Sequence, residues 1–293
     1  MNLTKCGLFM FLCFQIIQTQ LDAQIMVFSR KDSLRGSLRP ERAYDVTHYD
    51  LHVELNIPKK FISGYNIISY KGLENCKEIQ IDLFDNMKIT SIKNGNKELK
   101  YRREYHAVFV ALPIKANESD KLRIEFEGYP IMAKNAPWDG GFVWSEDENK
   151  NPWVGVACEG IGASLWWPNK DHLSDEPESM DTYFTVAKPY MAISNGQLVD
   201  QQNDGKKRTT YHWRVSYPIN NYNVTVYVGK YAHFQEEMNT KSGEKLSMNY
   251  YVLENHLDKA KNHFAQVAKV LECYDHYLGT YPFIKDGYAL VES

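Results

Sequence analysis

The sequence predicts a mainly β protein, an antiparallel sandwich or a curved open sheet, and three observations carry that expectation. Aromatic residues make up 13% of the chain and include 20 tyrosines, a composition that favours pleated sheets over helical bundles. Apolar and polar residues alternate in successive runs, which is the period of a strand with one buried face. Asn94-Gly95, Asn195-Gly196 and Asp204-Gly205 punctuate those runs as turns.

Taken in order, Met1 to Ala23 reads as a secretory signal peptide. Lys5 supplies the positive end, Gly7 to Ile17 the apolar stretch, and Leu21-Asp22-Ala23 a passable cleavage site. The apolar stretch is short for a bilayer span. The mature protein is therefore expected to be exported, periplasmic or secreted, with no stable membrane span. In the first long strand Tyr49, Leu51, Val53, Leu55 and Ile57 alternate with His48, Asp50, His52, Glu54 and Asn56. Two histidines and an aspartate share its polar face, but alternation alone explains them, and no metal site is read there.

Further strands are expected at Ile79–Leu83, Val108–Leu112 and Leu122–Phe126, then at 183–186, 191–193, 211–217 and 224–228. Pro137 to Trp153 reads as a hairpin whose acidic tip, Ser145 to Lys150, is a solvated turn. Near Lys241 the texture changes. A strand at Leu246–Leu253 precedes one helix, in which Leu257, Ala260, Phe264, Val267, Ala268, Leu271, Tyr274 and Leu278 recur at helical spacing. Asn255 is its expected N-cap and Gly279 its end. His256, His263 and His276 lie on or beside this helix, and the last two are expected to be exposed rather than ligands. The final apolar strand, ending at Ser293, makes 241–293 the unfinished beginning of an α/β domain after a β-rich domain over 24–240. A length of 293 residues agrees with about two domains.

Charge excludes one class of partner. A formal net charge of −3 offers nothing to nucleic acid. Cys76, Cys158 and Cys273, the cysteines left after signal removal, are an odd set without metal-ligand spacing, so no disulfide framework is expected.

Packing and charge meet between Cys158 and Pro177, C-E-G-I-G-A-S-L-W-W-P-N-K-D-H-L-S-D-E-P. Trp166 and Trp167 ask for large apolar burial, whereas Glu159 needs a partner wherever water is excluded. The segment reads as the wall of a site. The plainer reading is a buried aromatic corner beside a solvated acidic loop.

Cys158-Glu159, Ala163, Trp167-Pro168 and Asp175-Glu176-Pro177, with Tyr281-Pro282-Phe283 later on, resemble signatures of the aminopeptidase N family of zinc metallopeptidases, the gluzincins. Ser164 stands where that family usually has Arg, Asn169 replaces a Cys, and about four extra residues precede Asp175. The resemblance implies a β-rich N-terminal domain followed by the start of a thermolysin-like catalytic domain. It also implies an exported aminopeptidase that removes N-terminal residues from peptides, with Zn2+ in the full-length enzyme. In that family the position of Glu159 receives the free α-amine of the substrate. Such an amine, with a pKa near ~8, is largely protonated at neutral pH. One charge-assisted hydrogen bond to it is worth about 1.5–3 kcal/mol.

Glu159 is the one site residue the resemblance carries over. No His here is followed by Glu and then by a second His at zinc-helix spacing, and the Gly-x-Met-Glu-Asn motif expected after the last strand does not occur. The chain is expected to be inactive alone. A second class stays open: a non-catalytic β-sandwich module presenting Trp138, Trp144, Trp153, Trp166 and Trp167 to a peptide or carbohydrate.

Overall fold

Alternation along the first expected strand becomes β1 (Tyr44–Asn56), whose apolar side chains are buried while its polar ones meet solvent. The computed structural model describes residues 28–36, 39–136, 138–158, 160–205 and 207–293. The expected signal peptide and Glu159 lie outside the described residues. Residues up to Leu34 form a unit of their own, containing the one-turn helix α1 (Arg30–Ser33) capped by Ser29.

From Arg35 onward the chain is a second unit. After β1 come β2 (Phe61–Gly72), β3 (Ile79–Asp82), β4 (Met87–Asn94), β5 (Lys97–Glu98), β6 (Tyr101–Glu104), β7 (Ala107–Val110) and β8 (Ser119–Gly128). Next are β9 (Gly141–Glu146), β10 (Pro152–Ala157), β11 (Ser179–Ala187), β12 (Met191–Ser194), β13 (Gln197–Asp204), β14 (Arg208–Val215) and β15 (Val226–Gly229). Last are β16 (Tyr231–Asn239), β17 (Lys245–Leu253), the helices α2 (Leu257–Phe264) and α3 (Val267–Tyr277), and β18 (Tyr288–Val291).

An eight-stranded sheet runs in the order β13-β14-β11-β1-β2-β8-β4-β5. The other sheets are β12-β15-β10-β9, β3-β7-β6 and β16-β17-β18. Most pairs are antiparallel, as expected, but β1 lies parallel to β11 with His48 opposite Ser179 and Glu54 opposite Thr185. The pair β17–β18 is parallel too. One hydrophobic core draws its side chains from the eight-stranded sheet, from β3 and β7 and from the four-stranded sheet. A smaller one gathers Met238, Leu246, Met248, Tyr250, Val267 and Leu271. Position 241 falls in the turn between β16 and β17, which pair from Tyr231–Leu253 to Asn239–Lys245.

Two expectations at the helix need correction. A single helix from Leu257 to Leu278 is not formed: at Ala265 and Gln266 ψ is −17° and −16°, a tightened turn short of α-helical geometry. Phe264 packs on Phe234 and Tyr250 while Val267 and Leu271 enter the smaller core. Asn255 is not the N-cap, because it lies inside a 3-10 turn over Glu254–His256. Its side-chain amide instead donates to Glu148 Oε2 (3.2 Å).

Candidate functional site

The connection from β10 to β11 carries the Cys158–Pro177 segment. Trp166 and Trp167 are 0% exposed, as large apolar surface demands. Trp167 meets the Tyr49 ring edge-on at 4.9 Å, and Trp166 lies against Phe142 and Phe184. The aromatic corner is thus core. The aromatic platform is not formed, since Trp144 and Trp153 also pack against the core and Trp138 alone stands out, 89% exposed.

Ahead of the tryptophans the chain makes a tight loop. The Gly162 N–H donates to Cys158 O (2.8 Å), and Gly162 takes φ 97° and ψ 155°, a region essentially reserved for glycine. Arg35 Nη2 donates to Ile161 O at 2.9 Å. From the other side Asp171 Oδ2 accepts from Ser164 N (3.1 Å) and Ser164 Oγ (2.5 Å). Ser164, a departure from the family signature, is therefore the loop's anchor point on Asp171.

Below this lies a buried polar layer. The Asp171 N–H donates to Asp82 Oδ2 (3.0 Å), and Asp82 pairs with Arg42 at 2.7 Å, both side chains almost wholly out of water. Burial raises the Asp82 pKa, with Arg42 opposing that shift. Lys170 pairs with Asp175 and also donates to Tyr44 O. Burial likewise raises Asp175, against the pull of Lys170. Asp175 is thus buried rather than solvated, although its neighbours Ser174 and Glu176 are exposed. Asn66 Nδ2 donates to Pro168 O (2.8 Å), and Asn221 Nδ2 to Lys170 O (2.7 Å). Sequence reasoning missed Arg42, Asp82 and Lys170, because their partners lie far along the chain and no local pattern marks them.

On the open side is a cleft of about 480 Å³ lined by Arg35, Cys158, Gly160, Gly162, Asp171, His172, Leu173 and Tyr222. Both chain neighbours of Glu159 line it; Glu159 itself lies outside the described residues. Burial pushes the Cys158 thiol up to about 12, so it is neutral and unreactive here. His172 is held below its ordinary value by burial, with Arg42 and Lys170 adding to the effect.

The histidine strand forms no metal site among the described residues. His52 bonds Asp50 (2.7 Å) and stacks between Tyr65 and Tyr183, while His48 turns to Ser179 and Asp181. His263 and His276 are exposed. Nowhere among the described residues do three His, Cys, Asp or Glu side chains converge on a point that could hold a metal. The described residues therefore offer no donor set that fits a zinc ion. Among them, too, no helix is long and apolar enough to cross a membrane.

Comparisons with known proteins follow the same lines. The family model described as the peptidase M1 N-terminal domain matches residues 45–222. Aminopeptidase N of Haemophilus influenzae is 21% identical over 224 residues, which is 74% of this chain and 24% of that protein. The M1 zinc metallopeptidase from Deinococcus radiodurans shares the fold with a TM-score of 0.73 at 18% identity, over 85% of this chain and 56% of that one. Leukotriene A4 hydrolase from Saccharomyces cerevisiae does so with a TM-score of 0.67 at 15% identity, over 94% and 41%. The chain thus spans about a quarter of the curated relative and about half of these structures.

Proposed function

Since the chain belongs to the peptidase M1 N-terminal domain family, we propose that it is the part of an exported zinc aminopeptidase that recognises the free end of a peptide. The observation that carries this reading is the cleft of about 480 Å³ walled by Cys158 and Gly160, the residues bonded to Glu159. In this reading Glu159 accepts hydrogen bonds from the substrate α-ammonium. Arg35 and Asp171 hold the loop in place, and the Trp166–Trp167 corner gives it a rigid floor. Zinc, when bound by residues of a complete enzyme, would activate water for hydrolysis. Export rests on the Met1–Ala23 segment, and the segment from about Lys241 is read as the start of the catalytic domain.

Kinetics of a protein that carries both this chain and the zinc motif test the reading. Glu159→Ala raises KM for peptides with a free N-terminus and lowers kcat/KM about ten- to a hundredfold, the loss of one charge-assisted bond of about 1.5–3 kcal/mol. Zinc content stays normal. Glu159→Gln is milder, because its amide oxygen still accepts from the amine. An unchanged kcat/KM in Glu159→Ala would reduce Glu159 to a structural carboxylate.

A further inference from the structure

Asp275 on α3 is a carboxylate that the fold takes out of water, 7% exposed, and satisfies only by half. Its Oδ2 accepts from the Lys241 N–H at 2.7 Å, which ties the β16–β17 turn to the helix. Its Oδ1 is buried and accepts no hydrogen bond among the described residues. The Lys241 ammonium does not answer it, lying instead 2.7 Å from His276 Nδ1. A buried oxygen in this state costs free energy until a donor reaches it. The same Asp275 lines a cavity of about 330 Å³. Met238, Leu246, Leu271 and Leu278 give that cavity apolar walls, and Tyr274 and Tyr281 add two rings. An apolar chamber with few polar groups to fix orientation is the usual form of a small-molecule site. No Lys, Arg or His lines it, so the carboxylate alone sets the sign of charge it accepts. It shares no lining residue with the Cys158 cleft.

We propose that this cavity binds a small apolar primary amine as its ammonium ion, the nitrogen on Asp275 Oδ1 and the apolar body among Leu246, Leu271 and Leu278. An ammonium supplies both the missing donor and the missing charge, and charge-assisted hydrogen bonds are the strong ones. The faces of aromatic rings such as Tyr274 and Tyr281 attract the same cation. A neutral donor leaves the buried charge unanswered, and an anion is repelled by it. A cavity of about 150 Å³ holds benzene, so this one has room for a single ring on a short amine arm. Occupancy joins the end of α3 to the turn at Lys241 through Asp275, and so holds that end of the helix in place. The inference goes beyond the proposed function and does not rest on it.

The 293-residue chain is titrated at neutral pH with 2-phenylethylamine, 2-phenylethanol and 3-phenylpropionate while the backbone amide resonances of Gly279 and Thr280 are followed by NMR. The amine, protonated there as a lysine side chain is, is expected to bind about tenfold or more tightly than the alcohol, as one charge-assisted bond implies. The carboxylate is expected not to bind. Chymotrypsin cleavage after Tyr274 slows in the presence of the amine and not of the alcohol. Asp275→Asn keeps an amide oxygen for the Lys241 N–H but turns a donor toward the ligand, and it removes the advantage of the amine. Glu159→Ala leaves the response at Gly279 in place, which separates this cavity from any amine held beside Cys158. Equal affinities of amine and alcohol in the wild type, no saturable shift at Gly279 and Thr280, or an advantage that survives Asp275→Asn would overturn the proposal. Failure of the aminopeptidase reading appears separately, as unchanged kinetics in Glu159→Ala.

Discussion

Arg42 and Asp82 show at the scale of single residues how the site loop is held. Two ionised groups taken out of water cost more than one good contact returns unless each keeps its partner. Asp82 meets Arg42 at 2.7 Å, accepts from Gln80 Nε2 at 3.1 Å and receives the Asp171 N–H. Asp82→Ala leaves the guanidinium buried without its carboxylate. It is expected to destabilise the chain by about 3–5 kcal/mol in urea unfolding. The double variant Arg42→Met with Asp82→Leu should recover most of that loss, since an apolar pair of similar volume carries no buried charge. A single variant with wild-type stability would show that the layer under the loop is not held by this pair.

At the scale of elements, the β9–β10 hairpin ends in an exposed tip, as expected, and that tip has an internal frame at Asp147, its one buried residue. Asp147 accepts from the N–H groups of Asn149 and Asn151, both at 2.8 Å, and from the Asn151 side chain. Beyond it Glu148 approaches His256 Nε2 at 3.6 Å, and His256 Nδ1 meets Glu292 Oε1 at 2.5 Å. The hairpin tip, the start of α2 and the residue after β18 therefore share one histidine. Its hydrogen bond to Glu292 is the main cause that raises the His256 pKa above 6.5, with the charges of Glu292 and Glu148 adding to it. A raised histidine pKa stabilises the fold fully below its unfolded value, and that contribution is lost as pH rises through the folded value. Thermal melting of the wild type should lose stability as pH climbs above 6.5, whereas His256→Gln should be flatter over the same range. Parallel pH profiles for the two proteins would remove His256 from the account.

Across the whole molecule, burial is uneven. Tyr231 and Tyr251 of the last sheet belong to the main core, and Leu253 and Val291 pack against it. By contrast α2 and α3 bury little beyond Ala260, Val267, Leu271 and Asp275, and Tyr277 and Leu278 are 77% and 79% exposed. Segments with few buried contacts open locally before the rest. Limited chymotrypsin digestion should therefore cut first around Tyr274, Tyr277 and Leu278, leaving a resistant fragment that reaches β17. First cuts within the eight-stranded sheet would contradict this ordering.

The sequence by itself determined the mainly β class, strands such as β1, β8 and β14, the hairpin, and the aromatic corner at Trp166 and Trp167. Each of these writes its burial into nearest-neighbour periodicity or into bulky apolar side chains. Strand β13 left no such mark, because every one of its residues is exposed. Tertiary structure alone decided that β1 runs parallel to β11, that Asp175 is buried on Lys170, and that Asp82 is buried on Arg42. Only the folded chain brings Arg35 and Asp171 to opposite sides of Gly162. The physical reason is distance along the chain: alternation is a local response to one buried face. A buried ion pair or a two-sided cleft exists only after strands distant in sequence have closed around it.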